Sequence, residues 1–299
     1  MGFFIEVDLD KIFKLLGLKK IENKGVDLNK VIKKKYTPFL RWAGGKRWLV
    51  YKYSHLFPKE YNTYIEPFLG SGSVFFHLTP RNAILSDYNK ELVTTYQVIK
   101  EYPTELLKAL KRHNTQHSKE YYYLVRAKNP RSKIEISARF IYLNRTCFNG
   151  IYRVNQSGKY NVPFGERYKI FLDTDDFIGI SKLLKDTELI HSDFENSILR
   201  AKKGDFLFID PPYTVSHNSN GFVQYNEKLF SWDDQVRLAK LTIEAKNRGV
   251  IVMITNANHK KIEELYKNDF ELIEISRYTS ISGAAKSRKS YSELVIKSY

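Results

Sequence analysis

One short run constrains this chain more than any other: "FLFIDPPY", residues 206–213. Four consecutive apolar residues, Phe206 to Ile209, read as a strand buried on both faces, the pattern of a parallel sheet covered by helices. Asp210 then falls at the carboxyl end of that strand, where open α/β sheets place their ligands. Pro211 and Pro212 lock φ and donate no backbone hydrogen bond, so the chain leaves the strand stiffly and holds the Asp210 carboxylate and the Tyr213 ring in one fixed relation. Asp-Pro-Pro is also an ordinary strand-ending turn, so the stretch marks a position before it marks a chemistry.

The rest of the chain fits around such a sheet. Strand-like "TYIEPF" and "AILSD" precede a helical "KELVTTYQVIKEY", and the same alternation returns after residue 171 with "ELIHSDF", "FLFID", "DDQVRLAKLTIEAKNRG", "VIVMITN" and "KKIEELYKN". Alternating strands and helices predict an α/β fold with a parallel sheet. The last two strands, around "LIEISRY" and "SELVIKSY", predict a hairpin at the sheet edge. Between the two βα blocks the rhythm stops, and "TELLKALKRHN" and "SARFIYLNRTC" have helical spacing. The chain therefore divides into an N-terminal extension (1–35), an α/β domain in two pieces (36–95 and 172–299) and a mainly helical insert (96–171). The extension holds an amphipathic pattern at Ile12, Phe13, Leu15 and Leu16, followed by a basic run at 33–35. No internal repeat or low-complexity tract is visible.

Charge narrows the partner. The 299 residues carry 49 Lys and Arg against 33 Asp and Glu, a formal +16, which points to a polyanion, either nucleic acid or an anionic membrane surface. The excess is concentrated in the insert, where residues 100–169 hold 15 basic residues against 5 acidic ones. A membrane-surface role would need a basic amphipathic helix with an aromatic face, which is not found. Apolar stretches such as Val250–Ile254 fall far short of the roughly 20 residues that span a bilayer, and the first twenty residues carry acids where a signal peptide would not. The expectation is a soluble protein that is not exported. A single cysteine, Cys147, excludes an internal disulfide or a cysteine-based zinc site, and the seven histidines lack metal-ligand spacing, so no metal is expected.

Two glycine-bearing stretches belong with the first βα block. "EPFLGSGSVFF" (66–76) places Gly70 and Gly72 between a strand and a helix, where glycines let a ligand approach the backbone. Asp87 follows at the end of the next strand, about the separation at which an acid takes the ribose hydroxyls of an adenosine-type cofactor. Upstream, "RWAGGKRW" (41–48) supplies Trp42, a glycine pair and Lys46. It is not a phosphate-gripping P-loop, since Arg47 stands where Ser or Thr should follow the lysine and the first glycine is missing.

Taken in order, "FLRWAGGK", "IEPFLGSGSVFF", "LSDYN", "FNGIYRVNQSGKYNVPFGERY" and "DPPY" resemble the Dam-type (group alpha) DNA adenine-N6 methyltransferases over residues 37–299. That resemblance implies a Rossmann-like sheet using S-adenosyl-L-methionine, with the insert as the target-recognition domain for double-stranded DNA. It assigns Trp42, Lys46, Glu66, Phe68, Gly70 and Gly72 to the cofactor, Asp87 to its ribose, and Asp193 and Phe194 to its adenine, with Asp210 beside it. For catalysis it points to Asp210, Pro211, Pro212 and Tyr213. The amino nitrogen of adenine is a poor nucleophile because its lone pair is delocalised into the ring. A carboxylate and the Pro211 carbonyl accepting both amino hydrogens would free that lone pair, while Tyr213 stacks on the extruded base. A cytosine-C5 enzyme would need a cysteine nucleophile following a proline, which Cys147 does not.

By the same resemblance Phe148, Asn149 and Ile151 correspond to base-flipping and wedge positions, Arg153 and Asn155 to base readers, and Pro163 to an apolar base contact. Arginine fits guanine and asparagine fits adenine in the major groove, which suits a GA-containing site such as GATC. Arg126, Lys286, Arg288 and Lys289 are expected to hold phosphates. Glu166, inserted into the family's usual "VPFGRY", departs from the pattern. The alternatives are a longer site beginning with GAT, an RNA substrate, or a DNA-binding relative without catalysis; restriction–modification and regulatory roles both stay open.

Overall fold

In the computed structural model, which describes residues 36–150, 152–155, 160–166, 169–214, 230–278 and 290–299, the run 206–209 is an interior strand. This strand, β4 (Phe206–Ile209), is buried along its whole length and pairs in parallel with β1 (Tyr64–Glu66) on one side and β5 (Ile251–Ala257) on the other. The sheet continues through β2 (Ala83–Asp87) and β3 (Thr187–His191) beyond β1, and through β7 (Ser290–Lys297) and β6 (Glu271–Tyr278) beyond β5. The order is β3-β2-β1-β4-β5-β7-β6, parallel except for β7, which runs antiparallel to both neighbours. The expected hairpin is present, with its second strand inside the sheet and β6 at the edge.

Both faces are covered, as the unbroken apolar run requires. Phe206 and Phe208 join one core with Tyr64, Leu85, Met253 and Val295. Leu207 and Ile209 join a second core with Ile65, Val252, Ile254 and Ile296. Successive strand residues point to opposite faces, so the central strands β1, β4 and β5 feed both cores. The helices that close the faces are α1 (Arg47–Lys52), α2 (Ser73–Leu78), α3 (Lys90–Glu101), α7 (Phe177–Leu183), α8 (Phe194–Arg200), α9 (Trp232–Asn247) and α10 (Lys260–Tyr266). Asn89 caps α3 by accepting from Leu92 N at 3.0 Å, and Ser231 and Asp234 form a reciprocal capping box on α9.

The insert is helical as expected, with α4 (Pro103–Gln116), α5 (Lys119–Ala127) and α6 (Lys133–Thr146). Residue 95 lies within α3, and Leu106, Leu110, Phe140 and Ile141 share the core that contains Leu85 and Phe206. Residues 36–299 accordingly form one compact unit. A smaller cluster of Tyr122, Val125, Tyr142, Leu143, Tyr160 and Val162 supports the loop after α6. Helix α5 is not among the helices expected from the sequence; its three consecutive tyrosines blur the helical period, and only Tyr122 is buried. Among the described residues no helix is long and apolar enough to cross a membrane, and no group of His, Cys, Asp and Glu is arranged to hold a metal ion. The extension 1–35, with Ile151, Lys286, Arg288 and Lys289, lies outside the described residues.

Candidate active site

Four acids stand at the carboxyl ends of four adjacent parallel strands: Glu66 ends β1, Asp87 ends β2, Asp193 follows β3, and Asp210 follows β4. The chain order reverses between β1 and β4, and open α/β sheets bind ligands in the crevice at such a switch point. Glu66 and Asp210 flank it.

The stretch 210–213 is held from four directions. Asp210 Oδ1 accepts from Thr255 Oγ1 at 2.8 Å and meets Lys46 Nζ at 2.8 Å. The Pro212 carbonyl accepts from Gln235 Nε2 at 3.3 Å, and Gln235 is itself tied to Asn256 at 3.2 Å. Tyr213 donates its hydroxyl to Glu293 Oε2 at 2.8 Å. Burial pushes the Asp210 carboxyl above its ordinary 3.8; the charge and hydrogen bond of Lys46 and the Thr255 hydroxyl pull it down, and the Glu293 charge pushes it up.

Lys46, assigned to the cofactor by resemblance, is only 4% exposed and lies on Asp210 and over Tyr213, 5.1 Å from the ring centroid. Its Nζ also donates to the Gly44 carbonyl at 3.0 Å. Thr255, Gln235 and Glu293 were not among the residues anticipated. Their signal in the sequence is weak: each is a polar residue inside an otherwise apolar strand or helix pattern, a position that periodicity marks only as buried.

The glycine loop is shaped by the chain's own side chains. Gly70 and Gly72 have φ of +48° and +65°, in the left-handed region that other residues avoid. A Cβ on Gly70 would lie 2.8 Å from the Trp42 indole, and one on Gly72 would lie 2.9 Å from the Tyr96 hydroxyl. Asp87 Oδ2 accepts from Gly70 N at 3.0 Å and Oδ1 from Asn89 N at 2.9 Å, which fixes the carboxylate. Burial raises the Asp87 carboxyl above its ordinary value, and these amides oppose the shift. Burial raises Glu66 much further; the Tyr64 hydroxyl, 2.9 Å from Oε2, opposes it, and the charges of Asp210 and Asp87 add to it. This set of acids fits a group that presents hydroxyls and positive charge.

Asp193 and Phe194 are joined by Arg237. The guanidinium reaches both Asp193 oxygens at 2.9 Å and lies 4.1 Å from the Phe194 ring centroid. Phe68 stacks on Phe194 at 5.4 Å, so Phe68, Phe194 and Arg237 form a single column beside the end of β3.

In the insert, Phe148, Asn149, Arg153, Asn155 and Pro163 occupy one surface loop, and all five are exposed. Asn149 has φ +57°, and Phe148 is 56% exposed despite its apolar ring. The "NVPFG" segment is pinned beneath them: Phe148 N donates to the Pro163 carbonyl at 2.9 Å, and a Cβ on Gly165 would collide with the Cys147 carbonyl. Glu166 is exposed and has φ +51°, in the left-handed region. Arg153 Nε donates to Asn161 Oδ1 at 3.1 Å. Arg126 is turned partly inward, giving Nη1 to the Val162 carbonyl at 3.0 Å and stacking on Tyr123. Arg139 and Arg145 are buried, so part of the insert's positive charge builds the fold. Cys147 is buried at the end of α6 with its thiol toward the Asn144 carbonyl.

A mostly parallel sheet of this order, with helices on both faces and acids flanking its switch point, is a Rossmann-like sheet. The chain belongs to the D12 class N6 adenine-specific DNA methyltransferase family, whose profile matches residues 42–281. It is 36% identical over 272 residues to the Type II methyltransferase M1.LlaDCHI of Lactococcus lactis subsp. cremoris, covering 88% of this chain and 95% of that one. It is 37% identical to the Type II methyltransferase M.MjaIII of Methanocaldococcus jannaschii, covering 74% and 84%. It is 31% identical to a DNA adenine methylase of Vibrio cholerae, covering 85% and 94%. The chain is an adenine-specific DNA methyltransferase.

Proposed function

We propose that this enzyme methylates N6 of an adenine extruded from double-stranded DNA, that its methyl donor is S-adenosyl-L-methionine, and that its site is GATC. The observation that carries the reading is the Asp210–Tyr213 stretch at the carboxyl end of β4, clamped by Thr255, Gln235, Lys46 and Glu293 beside the switch point of the sheet.

The donor supplies a methyl group on a sulfonium. Asp87 takes its ribose hydroxyls, while Trp42, Glu66, Phe68, Asp193 and Phe194 form the remaining walls. Asp210 and the Pro211 carbonyl would accept the two amino hydrogens of adenine and so free the nitrogen lone pair to act as the nucleophile. Tyr213 stacks on the base. Phe148, Asn149 and Ile151 fill the gap that the base leaves, Arg153 and Asn155 read guanine and adenine edges, and Pro163 packs on the bases. Arg126, Lys286, Arg288 and Lys289 hold phosphates. Residues 96–171 act as the recognition domain and 36–95 with 172–299 as the catalytic domain, working on DNA in the cytoplasm.

Sequencing of DNA methylated by the purified protein tests this reading. N6-methyladenine confined to GATC is the expected result; a longer site beginning with GAT corrects the specificity, and methylation of RNA alone overturns the substrate. The relatives named Type II methyltransferases favour a restriction–modification role, for which the methylated DNA must resist an endonuclease that cuts the same site.

A further inference from the structure

Glu293 is the acid of β7. It is 5% exposed, opposite Ala257 of β5 and Ile275 of β6, and a carboxylate is stable in such a place only when its charge and lone pairs are met. Its Oε2 accepts the Tyr213 hydroxyl at 2.8 Å and lies 3.9 Å from Lys46 Nζ. Lys46 in turn meets Asp210 at 2.8 Å and faces the Tyr213 ring. Asp210, Lys46, Glu293 and Tyr213 thus close a ring of contacts drawn from three distant parts of the chain.

Pro211 and Pro212 fix the backbone leading to Tyr213, but a proline restricts its own φ and its predecessor, not the χ angles of the residue after it. Something else must hold the aromatic ring. We infer that Glu293 is a positioning residue for methyl transfer: by anchoring the Tyr213 hydroxyl it sets the plane on which the extruded adenine stacks. The inference rests on the reading of Asp210–Tyr213 given above and adds to it a residue far from the motif in sequence, which acts through Tyr213. Loss of a hydrogen bond to a buried charge, felt through the alignment of the base, predicts a slowing of about 10- to 100-fold.

The test is single-turnover methylation of a GATC duplex by the purified full chain at saturating S-adenosyl-L-methionine. Glu293→Ala is expected to slow transfer by that factor with cofactor affinity unchanged. Glu293→Gln, which keeps an acceptor for the hydroxyl, is expected to recover most of the rate. Tyr213→Phe breaks the same bond from the other side, so the double variant Tyr213→Phe/Glu293→Ala should be no slower than its slower single parent. A wild-type rate for Glu293→Ala, or a double variant slowed by the product of the two single effects, overturns the inference. If Glu293→Ala does not fold, Tyr213→Phe decides, and a wild-type rate there overturns it. A wild-type protein that methylates no DNA overturns the proposed function, and the inference with it.

Discussion

Lys46 and Asp210 meet with Nζ 2.8 Å from Oδ1, at the end of the central strand. The pair matters because Asp210 serves the proposed reaction only as a carboxylate, while its burial favours the protonated acid. Lys46, with Thr255, opposes burial; Glu293 reinforces it. The ionisation of one carboxylate is therefore set by neighbours of opposite sign.

The pH–rate profile should report that balance. Asp210 has its carboxyl above the ordinary 3.8, so the rate is expected to fall, as pH is lowered, through a value above that figure. Lys46→Met removes a downward pull and should move the acidic limb to higher pH, whereas Glu293→Gln removes an upward push and should move it lower. Limbs that coincide in all three proteins would separate Asp210 from the rate. Asp210→Ala should cost roughly 100-fold or more in kcat while DNA and cofactor binding survive.

Cofactor binding should depend on the glycine loop and its acid. Asp87→Ala and Trp42→Ala are expected to weaken S-adenosyl-L-methionine binding in calorimetry, with non-specific DNA affinity unchanged. Trp42 packs against Gly70 and stacks on Tyr152 at 5.9 Å, so its loss also removes the wall that holds the loop. Unchanged affinity in both variants would mean that the loop serves packing alone.

The central architecture was legible because its signals are local. Phe206–Ile209 announces a strand buried on both faces, and Glu66, Asp87 and Asp210 each sit at a strand end that the βα rhythm locates. The clamp around Asp210 was not legible, because Thr255, Gln235 and Glu293 are brought there by strand register and helix packing, and their own segments say only that they are buried. Charge counting likewise carries no direction: Arg139 and Arg145 add to the basic total of the insert yet point inward. Lys46 was assigned to the cofactor by resemblance alone, and its contact with Asp210 had no local signal, because strand and loop packing bring the two together.

Glu66 offers a test of stability in the cofactor-free protein. Its carboxyl is held well above the ordinary 4.5, so across that interval the folded chain keeps a proton that the unfolded chain has released. Stability must then fall as pH rises from the unfolded value towards the folded one. Glu66→Gln keeps the shape and cannot titrate. Melting temperatures of the two proteins should agree near about pH 4, and the variant should be the more stable near about pH 8. Parallel curves would place the Glu66 carboxyl in its ordinary range.

Two arginines of the insert should fail in different ways. Arg145 is 1% exposed; its guanidinium meets both Asp175 oxygens at 2.5 and 2.7 Å and donates to the carbonyls of Phe39 and Ile170. Arg145→Ala strands a buried carboxylate and should cost about 3–5 kcal/mol of stability, visible in denaturant unfolding and lost equally for every DNA sequence. Arg153 is exposed at the loop surface, so Arg153→Ala should leave the melting temperature alone. It should cost about 1–3 kcal/mol on the cognate site and relax discrimination at one base pair. Methylation rates on the cognate duplex and on each single-base variant, at two salt concentrations, distinguish the outcomes. A uniform loss for Arg153→Ala, with the salt dependence flattened by about one unit, would make it a phosphate contact and remove the argument for guanine in the site.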